Sequence, residues 1–205
     1  MRSSERQKKL QPLLKKVLSL LDDDPDREGL IDTPKRWAES LVTSTAGIDS
    51  DPAQILKTIF TLDGHDSVLT HDDMVLMTNI EFTSTCEHHI APMRGFVHIA
   101  YIPNAEKQLL GLSKLPRIVD VFAKRLQIQE RLTQQIAQAL DDYLVPLGVI
   151  VVLQAIHYCM IQRGVKQHES STLTTARRGL FLDNPELETK FQAYLKMQLD
   201  NRTRE

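Results

Sequence analysis

Apolar residues recur at helical intervals through the first third of the chain. Leu10, Leu13, Leu14, Val17, Leu18 and Leu21 share one face of a helix spanning residues 5–22, which Asp22-Asp23-Asp24-Pro25 ends. Asp32 or Thr33 can cap a second helix, with Pro34 in its first turn, running through Trp37 and Leu41. A third, short helix is predicted after Asp51-Pro52, through Ile55, Leu56, Ile59 and Phe60, before a polar break near Gly64-His65-Asp66. Beyond it the pattern suits strands at 75–82, 96–102, 149–159 and 172–175, where β-branched and aromatic residues gather. Helices are predicted at 113–125 and 128–144, the second with Ile136, Leu140 and Leu144 in phase, and at 185–199. Strands, a helix pair, strands, then a helix predict an α+β fold with mostly antiparallel pairing. The organisation expected is an N-terminal helical arm of residues 1–62 and a domain of residues 63–205 that carries the chemistry.

At 205 residues the chain can bury a substantial core. A net charge of −2 provides no basic field for a nucleic-acid backbone, so no nucleic-acid partner is expected and any anion site must be a local cluster. No apolar run approaches the roughly 18 residues a membrane span needs. The N-terminus leads into a charged amphipathic segment rather than a signal peptide's apolar stretch. A cytoplasmic protein with reduced thiols and no membrane partner is the expectation.

Only two cysteines are present, and both lie beside histidines: Cys86-Glu87-His88-His89 and His157-Tyr158-Cys159. A lone cysteine is more often a small buried hydrophobe; two placed this way point to a metal. In a turn, positions i and i+3 meet, which pairs Cys86 with His89. Residues two apart on a strand share a side, so His157 and Cys159 would face one cavity. The economical arrangement is zinc held by Cys86, His89 and Cys159, with His88 and His157 left for proton transfer, a task suited to imidazole near neutral pH. Three protein ligands leave a fourth position for water, whose acidity the ion raises, and this predicts hydrolysis rather than redox chemistry. A closed structural site with His88 or His157 as fourth ligand is the alternative, and a disulfide is a third reading that the flanking histidines oppose. His65, His71, His98 and His168 read as structural or surface residues.

Ser113-Lys114 and Arg117 put a hydroxyl and two cations at a helix start, where free backbone N–H groups also favour phosphate. Arg163, four residues beyond Cys159, could add a guanidinium from the metal side. Gln129-Glu130 opens the next helix; Glu130 suits the helix dipole there and could equally accept hydrogen bonds from a purine.

These segments together resemble the zinc-dependent GTP cyclohydrolase I family. The resemblance rests on Thr83-Ser84-Thr85-Cys86-Glu87-His88-His89, Gly111-Leu112-Ser113-Lys114, Gln127-Ile128-Gln129-Glu130-Arg131-Leu132-Thr133 and His157-Tyr158-Cys159 with Arg163-Gly164. Arg27-Glu28-Gly29-Leu30 and Asp32-Thr33-Pro34-Lys35-Arg36 extend it upstream, and Thr172, Thr174 and Gly179-Leu180-Phe181 extend it downstream. It implies conversion of GTP and water to 7,8-dihydroneopterin triphosphate and formate, the entry to tetrahydrofolate or biopterin synthesis. It also implies a tunnelling fold, in which an antiparallel sheet with a helix pair on one face joins its copies in a barrel. Decamers of two pentamers with sites between subunits, and an allosteric enzyme whose regulatory partner is unidentified, follow from the same resemblance. By position, it makes Cys86, His89 and Cys159 the zinc ligands and His88, His157 and Ser113 catalytic. Gln129 and Glu130 would read guanine, while Lys114, Arg117, Arg163 and, from the arm, Arg36 would bind triphosphate. Glu39 stands where some relatives carry a basic residue, which weakens the arm's phosphate role. A tunnelling-fold purine- or pterin-binding relative without cyclohydrolase activity is the alternative.

Overall fold

A computed structural model describes residues 3–61 and 73–202; the predicted break near Gly64, with His65 and His71, lies outside them. The first two helices form where the pattern predicts them. Helices α1 (Ser3–Leu21) and α2 (Thr33–Ser44) pack together, burying Leu14 and Leu18 of one and Ala38 and Val42 of the other. Pro34 occupies the first turn of α2, where its missing N–H is no loss. Helix α3 (Pro52–Ile55) starts at Asp51, whose carboxylate accepts the Ala53 N–H, but it is shorter than predicted. Ile59 and Phe60 belong instead to β1 (Ile59–Thr61), paired antiparallel with β4 (Gln108–Leu110). A single helical turn has little stability of its own, and an Ile-Phe-Thr run fits a strand once a partner edge is present.

The main sheet has five strands in the order β5-β2-β3-β6-β7: β2 (Val75–Cys86), β3 (Ala91–Ile102), β5 (Leu126–Gln127), β6 (Gly148–His157) and β7 (Thr172–Gly179). Every neighbouring pair is antiparallel except the short β2–β5 pair. Helices α4 (Lys114–Ala123) and α5 (Gln129–Leu144) cover one face, where Phe82, Val97 and Leu153 of the sheet join Ile118, Ile136 and Leu140 of the helices in one core. On the opposite face Ala100, Ile102 and Ile150 meet Phe181 of α7 (Leu180–Asp183) and Leu187 and Phe191 of α8 (Pro185–Arg202). The α+β class and the helix pair on one face are as expected. Side-chain alternation along β2 puts Phe82, Ser84 and Cys86 on the helix-covered side; Ser84 donates to the Ala123 carbonyl at 2.6 Å. Cys86 stands opposite Ala91, and His157 opposite Met93, so both arrive at the same end of the sheet.

One histidine read as structural has a defined task. The β2–β3 register shifts between Met77 and Ile80, and Asn79 in that irregularity has a φ of 56°. Its backbone N–H donates to Nδ1 of His98 at 3.2 Å. His98 is 5% exposed, and burial pushes its pKa below the ordinary histidine value. The folded chain therefore takes a proton there less readily than the unfolded chain. This contribution to stability is complete above about pH 6.5, the unfolded value, and is lost as pH falls through the folded pKa. Urea midpoints measured between about pH 7.5 and pH 5 should fall more steeply for the native protein than for His98→Gln. Equal slopes would remove His98 from the acid response.

Candidate metal centre

The site is assembled from the end of β2, the turn after it, and the residues that follow β6. Cys86 closes β2, and the turn returns at once: Ile90 N–H donates to the Cys86 carbonyl at 2.9 Å. Ile90 has a φ of 51°, a left-handed conformation that a β-branched residue adopts only where its surroundings impose it. The turn swings the His89 ring back so that Nδ1 lies 3.8 Å from Cys86 Sγ. Cys159 arrives differently from the sequence expectation. β6 ends at His157, and Cys159 lies in the short helix α6 (Tyr158–Ile161), so a helical turn rather than strand alternation delivers its sulfur. The β-branched run that marks β6 is Val149-Ile150-Val151-Val152, and after Ile156 no β-branched residue follows until Ile161.

The ligand atoms of Cys86, His89 and Cys159 all lie within 4.8 Å of one another. Zinc bonded at about 2.3 Å to sulfur and about 2.0 Å to nitrogen would hold neighbouring ligands about 3.5 Å apart in a tetrahedron, close to the observed 3.8 Å. Both thiols are free, which excludes the disulfide. Burial pushes the Cys159 thiol up, and Cys86 beside it adds to the shift while Arg163 opposes it. A cation between the sulfurs would reverse that penalty. Burial, then Arg163 and His88, push His89 down, favouring the neutral ring that a metal ligand must be. The donor set and its spacing fit a soft-to-borderline divalent ion.

His88 lies beside this trio, not in it. Its ring meets that of His89 edge-on at 6.0 Å between centroids and is largely exposed. Glu87, between Cys86 and His88 in the chain, is gripped by Arg131, whose two guanidinium nitrogens donate at 2.5 and 3.0 Å. Those bonds hold the Glu87 carboxyl below its usual pKa. This fork ties the ligand turn to the first turn of α5, and sequence reasoning missed it; the available signal was an acid next to Cys86 with an arginine after Glu130. His157 is half-buried, with Nε2 2.7 Å from Gln129 Oε1. Burial lowers its pKa, and nearby Glu130 works the other way. Glu130 itself stays exposed in the first turn of α5. Gln129 is 2% exposed, and its amide is engaged at both ends. Its side chain is directed at His157 and at β6 and β7.

Ser113, Lys114 and Arg117 open α4 far from the thiols of their own chain. Leu110, three residues earlier, donates to the Tyr101 hydroxyl, and Tyr101 sits ten residues along β3 from Ala91, which faces Cys86. The opposite end of α4 is the one that meets Ser84, so about 15 Å of helix separates the two clusters. Arg36 lies on α2 and pairs with Asp32 at 3.3 Å. Among the described residues, no hydrogen bond or ion pair joins Ser113, Lys114, Arg117 or Arg36 to the trio. Arg163, exposed after α6, is close enough to act electrostatically on His89 and Cys159.

Two thiols and an imidazole converging on one point, with His88 and His157 alongside, fit a metal-dependent hydrolytic enzyme built on an α+β sheet. The family model for GTP cyclohydrolase I matches residues 10–196. GTP cyclohydrolase 1 of Campylobacter concisus is 46% identical over 180 residues, covering 87% of this chain and 90% of that protein. GTP cyclohydrolase 1 of Deinococcus radiodurans is 42% identical over 194 residues, covering 94% and 86%. Among solved structures, an archaeosine synthase QueF-like chain is similar at 17% identity and a TM-score of 0.41, over 52% of this chain and 93% of that one. The chain belongs to the GTP cyclohydrolase I family, and its activity is that of a GTP cyclohydrolase. No helix of the described residues is long and apolar enough to cross a membrane.

Proposed function

We propose that the chain hydrolyses GTP at guanine carbon 8, releases formate and yields 7,8-dihydroneopterin triphosphate, the first step toward tetrahydrofolate or another pterin. The observation that carries this reading is the Cys86–His89–Cys159 trio, which supplies three ligands and leaves a tetrahedral ion one open position. Zinc is the ion best suited to two thiolates and an imidazole, and when bound it supplies a Lewis acid that makes water nucleophilic near neutral pH. His88, exposed beside the ligand turn, protonates the purine nitrogen next to carbon 8. His157, at the β6 end, serves the ring-opening proton transfers. Glu130 accepts hydrogen bonds from guanine's ring N–H and amino group, discriminating against purines that lack them. Gln129 stands behind His157 rather than against the base.

Ser113 near the ribose and Lys114, Arg117 and Arg163 on the triphosphate complete the site, with Arg36 a further cation from the arm. The separation of Ser113, Lys114 and Arg117 from the thiols supports a site shared between chains, one contributing the metal and base pocket and its neighbour the start of α4. A homodecamer whose sheets join into a barrel meets that requirement. A reducing compartment such as the cytoplasm suits a centre that depends on two free thiols.

The test is incubation of zinc-loaded protein with GTP, measuring formate and, after oxidation, pterin fluorescence. Both should accumulate. GTP binding without formate would instead support a purine-binding relative that has lost the chemistry.

A further inference from the structure

We infer that Gln129 is a positioning residue that fixes His157 in the Nε2–H tautomer and leaves Nδ1 as the ring's proton acceptor. The inference follows from counting hydrogens. The Gln129 side-chain nitrogen lies 3.1 Å from the Leu153 carbonyl oxygen, 3.0 Å from the Thr172 carbonyl oxygen and 3.1 Å from Thr174 Oγ1. The two carbonyls only accept. Rotating the amide by half a turn would press its oxygen against both of them in a buried site, where unpaired polar atoms cost most.

The hydroxyl completes the constraint. Thr133 Oγ1 donates to the backbone carbonyl of Gln129 at 2.8 Å, so its proton is spent there. Thr133 and Thr174 hydroxyl oxygens are 2.6 Å apart, and Thr174 must therefore be the donor of that pair. Thr174 then has only a lone pair to offer Gln129. The two amide hydrogens are thus directed at acceptors of β6 and β7, with Thr174 sharing one of them, and the oxygen is left facing His157 Nε2 at 2.7 Å. An amide oxygen accepts and cannot donate, so Nε2 carries the hydrogen.

The chemical consequence concerns which ring atom moves protons. With Nε2–H held by Gln129, the neutral ring keeps its lone pair at Nδ1, the atom that can accept a hydrogen bond or proton.

This deepens the proton-transfer role proposed for His157, but the tautomer can be read without turnover. Zinc-loaded protein carrying 15N-labelled histidine, at about pH 8 where an ordinary imidazole is neutral, would be measured by solid-state NMR. The His157 signal is identified by its loss in His157→Asn. Expected are a protonated Nε2 and a bare, pyridine-like Nδ1. A protonated Nδ1, or a mixture of tautomers, in the native protein overturns the inference. In Gln129→Met the signature should become mixed and kcat should fall about 10- to 100-fold, part of the roughly 10²–10⁴-fold that a positioned acid–base group contributes, with KM for GTP unchanged. A folded Gln129→Met variant that keeps the single native tautomer also overturns it. The expected tautomer without formate production would sink the reaction and leave the positioning standing.

Discussion

Replacing Cys159 with serine is expected to leave a folded protein that retains little zinc and turns over GTP at less than about one-hundredth of the native rate. Losing an outer partner of a metal ligand costs about 10- to 100-fold, so losing the ligand itself should exceed that range. Cys159 sits half-exposed in a four-residue helix outside both apolar clusters, so the fold does not depend on its packing. Serine nearly preserves its size but does not ionise to a ligand near neutral pH, whereas a metal-bound thiol is deprotonated outright. Circular dichroism, zinc per chain and formate release measure the three parts separately. Native zinc content with native turnover would show that the sulfur contributed by α6 is dispensable.

His88→Ala should separate metal binding from chemistry. The His88 ring lies outside the trio, 6.0 Å from the ring of His89, so zinc content should match the native protein. Turnover should drop by about a hundredfold to ten-thousandfold, the usual contribution of a positioned acid. The fall should appear in kcat more than in KM, because proton donation matters in the transition state more than in binding. Loss of zinc would place His88 in the coordination set and make the centre a closed one. Full turnover would transfer the proton-donating role to another group, with His157 the nearest candidate.

Much of the centre was legible because its residues declare themselves. Cysteine is scarce in this chain, and both copies lie beside histidines, so chemistry and partners could be read together. The i,i+3 relation of Cys86 to His89 survived because a tight turn brings those positions together whatever the global fold. The i,i+2 reasoning for His157 and Cys159 assumed a continuing strand, whereas the strand gives way to helix at Tyr158 and a helical turn brings Cys159 to the trio. β3 begins at Ala91, ahead of the predicted residue 96, because Pro92 and Gly95 mask a strand that pairing with β2 and β6 imposes. Gly95 is required there: a Cβ would stand 1.8 Å from the Gln154 carbonyl oxygen.

What the sequence hid was whatever depends on distant partners. The resemblance sets Gln129 beside Glu130 at the substrate, and only the approach of β6 and β7 reveals its side chain as buried and hydrogen-bonded at both ends. The Glu87–Arg131 fork likewise joins residues 44 apart, a relation no local pattern encodes. Ser113, Lys114 and Arg117 were grouped correctly as one helix start, but their distance from the thiols emerges only from the course of β4 and α4 along the sheet.

X-ray absorption at the zinc edge of the purified, zinc-loaded protein tests the coordination most directly. Two sulfur neighbours at about 2.3 Å, one nitrogen at about 2.0 Å and one light oxygen are predicted. A shell filled by four protein ligands, or one holding fewer than two sulfurs, would contradict an open ion gripped by Cys86, His89 and Cys159.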